Sequence, residues 1–149
     1  MDNISKHITY KEATRSNTAV RLGIKNEPND VELTAMKLVA EKVFEPLHEW
    51  YGKPITVSSF FRSSKVNKAV KGSLTSQHTK GEAIDIDTQN DNTKLFMYIK
   101  DKMAFDQLIY EFGDDKNPAW VHVSFTKQNR GIILRAFIKN GKTLYEKMF

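Results

Sequence analysis

Residues 83–87 read Ala-Ile-Asp-Ile-Asp, and residues 120–125 read Trp-Val-His-Val-Ser-Phe. Side chains of a β-strand point alternately to opposite faces, so each stretch has one apolar face for a core and one polar face. Asp85 belongs to the polar face of the first stretch, and His122 belongs to that of the second. If the two strands pair, these two side chains stand next to each other. The two stretches therefore predict a sheet with one buried apolar face and one face that carries the polar, candidate functional side chains.

Helical patterns precede this sheet, and further strands follow it. Residues 28–52 carry apolar side chains at helical spacing, which predicts a long helix that Pro46 kinks or ends. Short β-rich runs predict strands at residues 55–61 and 105–112. A hairpin turn within residues 131–148 predicts two further strands there. Because helices come first and strands come late with short loops, we expect an α+β fold, with N-terminal helices packed on a mostly antiparallel sheet.

Length and composition restrict the class of protein. The 149 residues predict a single domain over residues 1–149, and the absence of cysteine excludes disulfides and thiolate chemistry. A net charge of +5 suits either nucleic acid or another anionic polymer. The sequence lacks an Arg-rich stripe and the motifs of nucleic-acid binders, so we expect no nucleic-acid partner and keep one only as an alternative.

The N-terminal residues show no apolar segment of the kind found in signal peptides. No apolar run approaches the length of a membrane span. We therefore expect a chain made in the cytoplasm, without a signal peptide and without a membrane span.

A third candidate metal ligand precedes the first strand. His78 lies seven residues before Asp85, in a loop where Gly81 allows the chain to fold back. Two imidazoles and one carboxylate suit Zn²⁺ and leave a fourth position for water. From spacing alone other interpretations stay open: surface or hydrogen-bonded histidines, and solvated or strand-capping carboxylates at Asp85 and Asp87. The acidic run at residues 85–93 lacks the glycine and the closing glutamate of a calcium loop.

Three stretches in order resemble one known family. Residues 76–85, SQHTKGEAID, resemble the S-x-H-x-x-G-x-A-x-D signature of zinc D-alanyl-D-alanine peptidases, and residues 120–124 resemble its W-x-H-x-S signature. Residues 59–63, SFFRS, followed by Asn67 and Gly72, resemble a third stretch upstream. This group includes D,D-carboxypeptidases and phage L-alanyl-D-glutamate endolysins, and it shares its fold with the hedgehog signalling domain.

The resemblance implies a set of site residues. It makes Zn²⁺ the cofactor, held by His78, Asp85 and His122. Arg62 becomes a catalytic residue and substrate clamp, with a structural salt bridge as its alternative role. The resemblance also implies substrate-binding residues that line the cleft: Ser76, Gln77 and Trp120.

The same resemblance implies the partner and the place of action. The substrate is a peptidoglycan stem peptide, and the protein is expected to be a monomer. It acts at the bacterial cell wall after release or as a virion component, as a phage or prophage lysis enzyme does.

The general base is where the sequence departs from the family pattern. Many relatives carry glutamate three residues before the last histidine ligand, but this chain has Ala119 there. Hedgehog-like relatives place the glutamate at the end of the preceding strand, and Glu111 matches that position. We therefore predict Glu111 as the catalytic base, with Asp114 or Asp115 as alternatives. A further alternative is a zinc-binding structural or wall-binding module that cuts nothing.

Overall fold

The computed structural model describes residues 3–149 and has the α+β architecture that the sequence predicts. Short helices and one long helical segment fill the first half of the chain, and most of the strands lie in the second half. The helices are α1 (Tyr10–Ala13), α2 (Asn17–Leu22), α3 (Asp30–Val39), α4 (Glu45–Tyr51), α5 (Ser64–Ala69) and α6 (Asn92–Lys102). The strands are β1 (Thr56–Ser59), β2 (Ala83–Asp87), β3 (Gln107–Glu111), β4 (Trp120–Ser124), β5 (Ile132–Lys139) and β6 (Lys142–Lys147).

The long helix begins at a capping box and passes through Pro46 without breaking. The Asn29 side chain accepts a hydrogen bond from the backbone N–H of Glu32, whose carboxylate accepts one from the N–H of Asn29. A π-helical segment, Ala40–Phe44, joins α3 to α4 directly before the proline. Proline has no N–H to donate, and the hydrogen-bond pattern changes from α-helical to π-helical just before it. The regular α-helical pattern is therefore interrupted here, as predicted, although the helical segment continues to Tyr51.

The six strands form one sheet in the order β1-β2-β4-β3-β5-β6. Every neighbouring pair is antiparallel except β3 with β5, which is parallel. The predicted turn at Asn140 and Gly141 joins β5 to β6, with positive φ angles of 53° and 74°. Those angles match the two-residue hairpin turn that Asn-Gly favours.

The sheet has one face in the core, as the alternation predicts. Ile84 and Ile86 of β2 and Val121 and Val123 of β4 are buried in the main hydrophobic cluster. Helices α3 and α6 pack on this side of the sheet. The other face of β2 and β4 is left for polar side chains, which positions the candidate site.

The strand predicted over residues 55–61 is shorter than expected. It ends at Ser59, after an irregularity in its pairing with β2. The backbone N–H of Phe61 then donates to the Ala13 carbonyl, and that of Arg62 donates to the His78 carbonyl. Because these donors leave the ladder, the chain turns away from the sheet and carries Arg62 toward the loop that holds His78.

Among residues 3–149, the helices are all too short or too polar to cross a bilayer.

Gly81 offers a test of how the loop of His78 is held. Its φ is +74°, and an added Cβ would collide with the backbone carbonyl of Glu32 and with the Met36 side chain. Gly52 has a similar φ of +72° but open space around it. We expect Gly52→Ala to cost about 1 kcal/mol, from backbone strain alone. Gly81→Ala should cost roughly 3 kcal/mol or more, because overpacking is added. Equal losses in denaturant unfolding would contradict the proposed close packing.

Candidate metal centre

Two neighbouring strands bring the first two candidate ligands together. Asp85 of β2 and His122 of β4 are direct cross-strand partners. The Nδ1 atom of His122 lies 3.0 Å from Oδ1 of Asp85. Both residues are buried, although each points away from the main core. The predicted pairing of these strands is therefore confirmed at this position.

His78 joins them from a 3₁₀ segment, Gln77–Lys80, that precedes β2. The segment starts where the Ser76 hydroxyl accepts a hydrogen bond from the His78 N–H, and it ends at Gly81 in a left-handed conformation. Nδ1 of His78 lies 2.7 Å from the Phe60 carbonyl, so this nitrogen carries the proton and donates it. Nε2 of His78 is left facing Oδ2 of Asp85 at 3.2 Å.

The three side chains form a set that fits a metal ion. The potential ligand atoms of His78, Asp85 and His122 all lie within 4.8 Å of one another. Bonds of 2.0–2.1 Å to a tetrahedral zinc place ligand atoms ~3.3 Å apart. The contacts of 3.0 Å from His122 to Oδ1 of Asp85 and of 3.2 Å from His78 to Oδ2 are close to that spacing. Because the Nδ1 proton of His78 is committed to Phe60, its Nε2 lone pair faces a carboxylate, and this arrangement is favourable only around a cation, either a proton or a metal.

The charge state of Asp85 agrees with such a centre. Burial alone would raise the pKa of this carboxyl, but His78 and His122 hold the pKa well below its usual range. Asp85 therefore stays ionised at neutral pH and supplies a negative charge to a bound cation.

Glu111 lies beside this set on β3. It pairs with Trp120 across the β3–β4 ladder and so lies on the same face of the sheet as His122, two positions along. It is buried, with 7% of its surface exposed. Burial raises the pKa of Glu111 to about 7; His122 and Arg62 oppose the rise, and Asp85 adds to it. A carboxyl with a pKa near neutrality is suited to exchange protons.

The other carboxylates considered from the sequence have different contacts. Asp114 accepts hydrogen bonds from the backbone N–H groups of Lys116 and Asn117 in an exposed loop. Asp115 is 88% exposed and forms an ion pair with Arg135. Asp87 accepts from the Gln89 N–H and the Asn92 amide, where the chain turns into α6. These three have structural or solvated roles, whereas Glu111 is the one held against the His–Asp–His set.

Arg62 is fixed on the same side of the molecule by a small polar cluster. Its Nη1 atom donates to Oδ1 of Asn67 at 3.1 Å, and the Asn67 amide donates to the Ser73 carbonyl. Gly72 has no room for a Cβ, which would collide with the Asn67 and Arg62 side chains. Burial lowers the pKa of Arg62, and Asp85 and Glu111 oppose that shift, so the guanidinium lies within electrostatic range of both carboxylates. Asn67 and Gly72 are thus positioning residues for Arg62.

The predicted substrate-binding residues are distributed around the centre. Arg62 and the half-buried Trp120 line a cavity of about 490 Å³ that also includes Ser59, the partner of Asp85 in β1. The three candidate ligands do not line this cavity themselves, but they lie next to residues that do. Ser76 is used in holding the His78 loop.

Gln77 makes a contact that the sequence did not indicate. Its amide donates to Oδ2 of Asp106, which also binds Arg130 through two hydrogen bonds from the guanidinium. These bonds hold the pKa of Asp106 well below its usual range, the Arg130 side chain contributing most. The side-chain amide oxygen Oε1 of Gln77 is buried without a partner among residues 3–149. Asp106 is therefore a second anchor of the loop that carries His78.

The two remaining histidines have partners elsewhere. The rings of His7 and His48 stack at 4.0 Å, and Nδ1 of His7 contacts Oε1 of Glu45 at 2.6 Å. These contacts give both histidines a packing role outside the candidate site.

A His–Asp–His set on a mostly antiparallel sheet, with a buried carboxyl of raised pKa next to it, has the donor groups that a metallohydrolase uses. The family comparison specifies the class further. The family described as Peptidase M15 matches residues 6–124, most of the chain, and the chain belongs to this family of metallopeptidases. No match was found among the curated proteins.

The raised pKa of Glu111 predicts how the stability of the metal-free protein depends on pH. The folded-state pKa of about 7 lies above the ordinary value of 4.5. The unfolded chain therefore releases this proton first as the pH rises, and folding stability falls between these two values. Relative to Glu111→Gln, the wild type should lose on the order of 3 kcal/mol between pH 4.5 and 8.

The measurement is denaturant unfolding of both proteins in the presence of a chelator. Asp114→Asn serves as the matched control, because Asp114 is exposed and lies in the neighbouring loop. A wild type and a Glu111→Gln variant with parallel pH profiles would show that Glu111 is not desolvated.

Proposed function

We propose that the protein is a zinc peptidase that hydrolyses peptide bonds in peptidoglycan stem peptides. The bond is of the D-Ala-D-Ala carboxypeptidase or the L-Ala-D-Glu endopeptidase type. The observation that carries the proposal is the convergence of His78, Asp85 and His122 within 4.8 Å, with the Glu111 carboxyl buried on the same face. Membership of the Peptidase M15 family supports it.

In this proposal His78, Asp85 and His122 hold the zinc. When bound, zinc supplies Lewis acidity, which lowers the pKa of a water molecule and polarises the scissile carbonyl. Glu111 accepts a proton from the attacking water on a carboxylate oxygen and passes it to the nitrogen of the leaving amine. Its buried position supports this role, because a desolvated carboxylate is a stronger base than an exposed one.

Arg62 and Trp120 act on the substrate. The Arg62 guanidinium binds a carboxylate or carbonyl oxygen of the stem peptide, and its fixed position beside Asn67 reduces the entropy lost on binding. Trp120 lies at the cavity with Arg62 and stacks on the bound peptide. Ser76 and Gln77 support the wall of the cleft through the His78 loop.

The proposed setting is the bacterial cell wall. The net charge of +5 favours adsorption to an anionic wall, an attraction that salt weakens. We propose a phage or prophage lysis enzyme that is made in the cytoplasm, acts as a monomer after release or as a virion component, and binds no nucleic acid.

One observation favours a second candidate, a zinc-binding module that does not cut. Ala119 stands where many relatives carry the catalytic glutamate. The buried Glu111 supports the enzyme, because its raised pKa destabilises the fold at neutral pH and strongly shifted pKa values cluster at catalytic sites.

Zinc binding can be tested without any activity measurement. We expect one zinc per chain, and stabilisation by about 2.7 kcal/mol when free zinc exceeds the Kd a hundredfold. His122→Ala and Asp85→Ala should lose both the bound metal and the stabilisation, whereas His48→Gln should retain both. Metal analysis and thermal unfolding measure these effects, and a wild type that binds no zinc would overturn the metal site.

Hydrolysis tests the base. On purified peptidoglycan we expect Glu111→Gln to reduce turnover by about 10²–10⁴-fold, since general base catalysis is removed. Asp114→Asn and Asp115→Asn are the matched controls and should keep wild-type turnover. Loss of turnover in one of them, with Glu111→Gln active, would move the base to the loop. Zinc binding without turnover in the wild type would favour the non-catalytic module. Mass spectrometry of the released muropeptides identifies the bond.

A further inference from the structure

The C-terminal hairpin of β5 and β6 extends the sheet beyond Glu111. The family match ends at residue 124, so this hairpin lies outside it. β5 pairs with β3 in parallel, and β6 forms the exposed edge of the sheet. Without the hairpin, the strand that carries Glu111 would itself be an edge. The hairpin therefore supplies one side of the surroundings of the candidate base.

One row of residues crosses the sheet at Glu111. Trp120 pairs with Glu111, Glu111 pairs with Ala136, and Ala136 pairs with Tyr145. Residues paired across a ladder share a face, so the Trp120 and Tyr145 rings flank Glu111 on the face that bears the metal ligands. The neighbouring row confirms the assignment, because the Arg135 guanidinium lies over the Tyr110 ring at 5.1 Å, on the opposite face.

Tyr145 lies two strands from Glu111 on the same face of the sheet. Two strand spacings of about 4.8 Å separate β6 from β3. The residue between them is Ala136, whose side chain is a single methyl group. The space above β5 is therefore open to the larger side chains on the neighbouring strands. Tyr145 is 57% exposed, so it is accessible to a ligand that enters from solvent.

The electrostatic environment of the Tyr145 hydroxyl agrees with this placement. Partial burial raises the pKa of Tyr145, Glu111 and Asp85 raise it further, and Arg62 opposes the shift. The hydroxyl is thus within range of the candidate base, a candidate ligand and the substrate clamp. A phenol is protonated at neutral pH at its ordinary pKa, and the upward shift does not change this, so the hydroxyl is a hydrogen-bond donor.

We propose that Tyr145 is a further catalytic residue, whose hydroxyl donates a hydrogen bond to a carbonyl oxygen of the bound peptide, on the side of Glu111 away from Trp120. The inference rests on the proposed function, since the ligand is the stem peptide. A donor aimed at an oxygen that gains negative charge stabilises the transition state more than the bound substrate. The hairpin would then complete a site whose other residues all lie within the family match.

The test compares Tyr145→Phe with the wild type, because phenylalanine keeps the ring and removes only the hydroxyl. Tyr98→Phe is the matched control: Tyr98 stacks on Trp50 at 3.8 Å, outside the candidate site. The substrates are synthetic peptides, one ending in D-Ala-D-Ala and one containing L-Ala-D-Glu. With zinc-loaded protein we expect Tyr145→Phe to lower kcat/KM about tenfold, mainly through kcat, with zinc content and unfolding temperature unchanged. Tyr98→Phe should match the wild type.

Equal kcat/KM for the wild type and Tyr145→Phe would overturn the proposal. So would a loss explained by lower zinc content, because Tyr145 would then support the fold rather than the substrate. If the wild type hydrolyses neither peptide, the proposed function fails separately, and calorimetry with phosphinate analogues of the same peptides, which carry the charged oxygen of the transition state, decides the role of Tyr145. Weaker binding by Tyr145→Phe alone would retain it as a ligand contact, and equal binding or no binding would exclude it.

Discussion

The pairing of Asp85 with His122 is the constraint on which the rest of the site depends. These residues come from strands that are 37 positions apart, and their side chains meet because the β2–β4 register places them opposite each other. A slip of one residue would turn His122 into the core and Val121 out of it, so hydrophobic burial and metal-site geometry select the same register. The core residues Ile84, Ile86, Val121 and Val123 thus position two of the candidate metal ligands from the opposite face of the sheet.

Much of this arrangement was predictable because local patterns determine it. Alternation in residues 83–87 and 120–124 predicted the strands and their polar faces, Asn140 and Gly141 predicted the hairpin turn, and apolar spacing over residues 28–52 predicted the long helix. Features that depend on distant parts of the chain had no local signal. The Phe60 carbonyl that orients His78 is a backbone group, and the use of Asp106 by both Gln77 and Arg130 required the folded chain. The contacts of Asn67 explain physically why this residue and Gly72 accompany Arg62 in the sequence.

Tyr145 shows most clearly where sequence patterns stop being informative. Strand β6 is exposed along its whole length, so no alternation of burial distinguishes its two faces. The face of Tyr145 follows only from two successive registers, through the parallel β3–β5 pair and the antiparallel β5–β6 pair. Parallel pairing between β3 and β5 joins segments separated by a whole strand, and the hydrophobic pattern of either segment alone does not indicate it.

In the proposed function, Glu111 takes the role of the glutamate that position 119 lacks, and the geometry of the two positions supports this exchange. Ala119 directly precedes β4, whereas Glu111 is the last residue of β3. The backbone N–H of Ala119 donates to the Glu111 carbonyl, so the two positions are adjacent in space. A carboxylate from either backbone therefore approaches His122 from the same end of the strand. The burial that gives Glu111 its raised pKa comes from its place inside the sheet, between β4 and β5. A glutamate at the exposed position 119 would lack that desolvation. In the proposed function, the basicity of the carboxylate on β3 therefore depends on the C-terminal hairpin beside it.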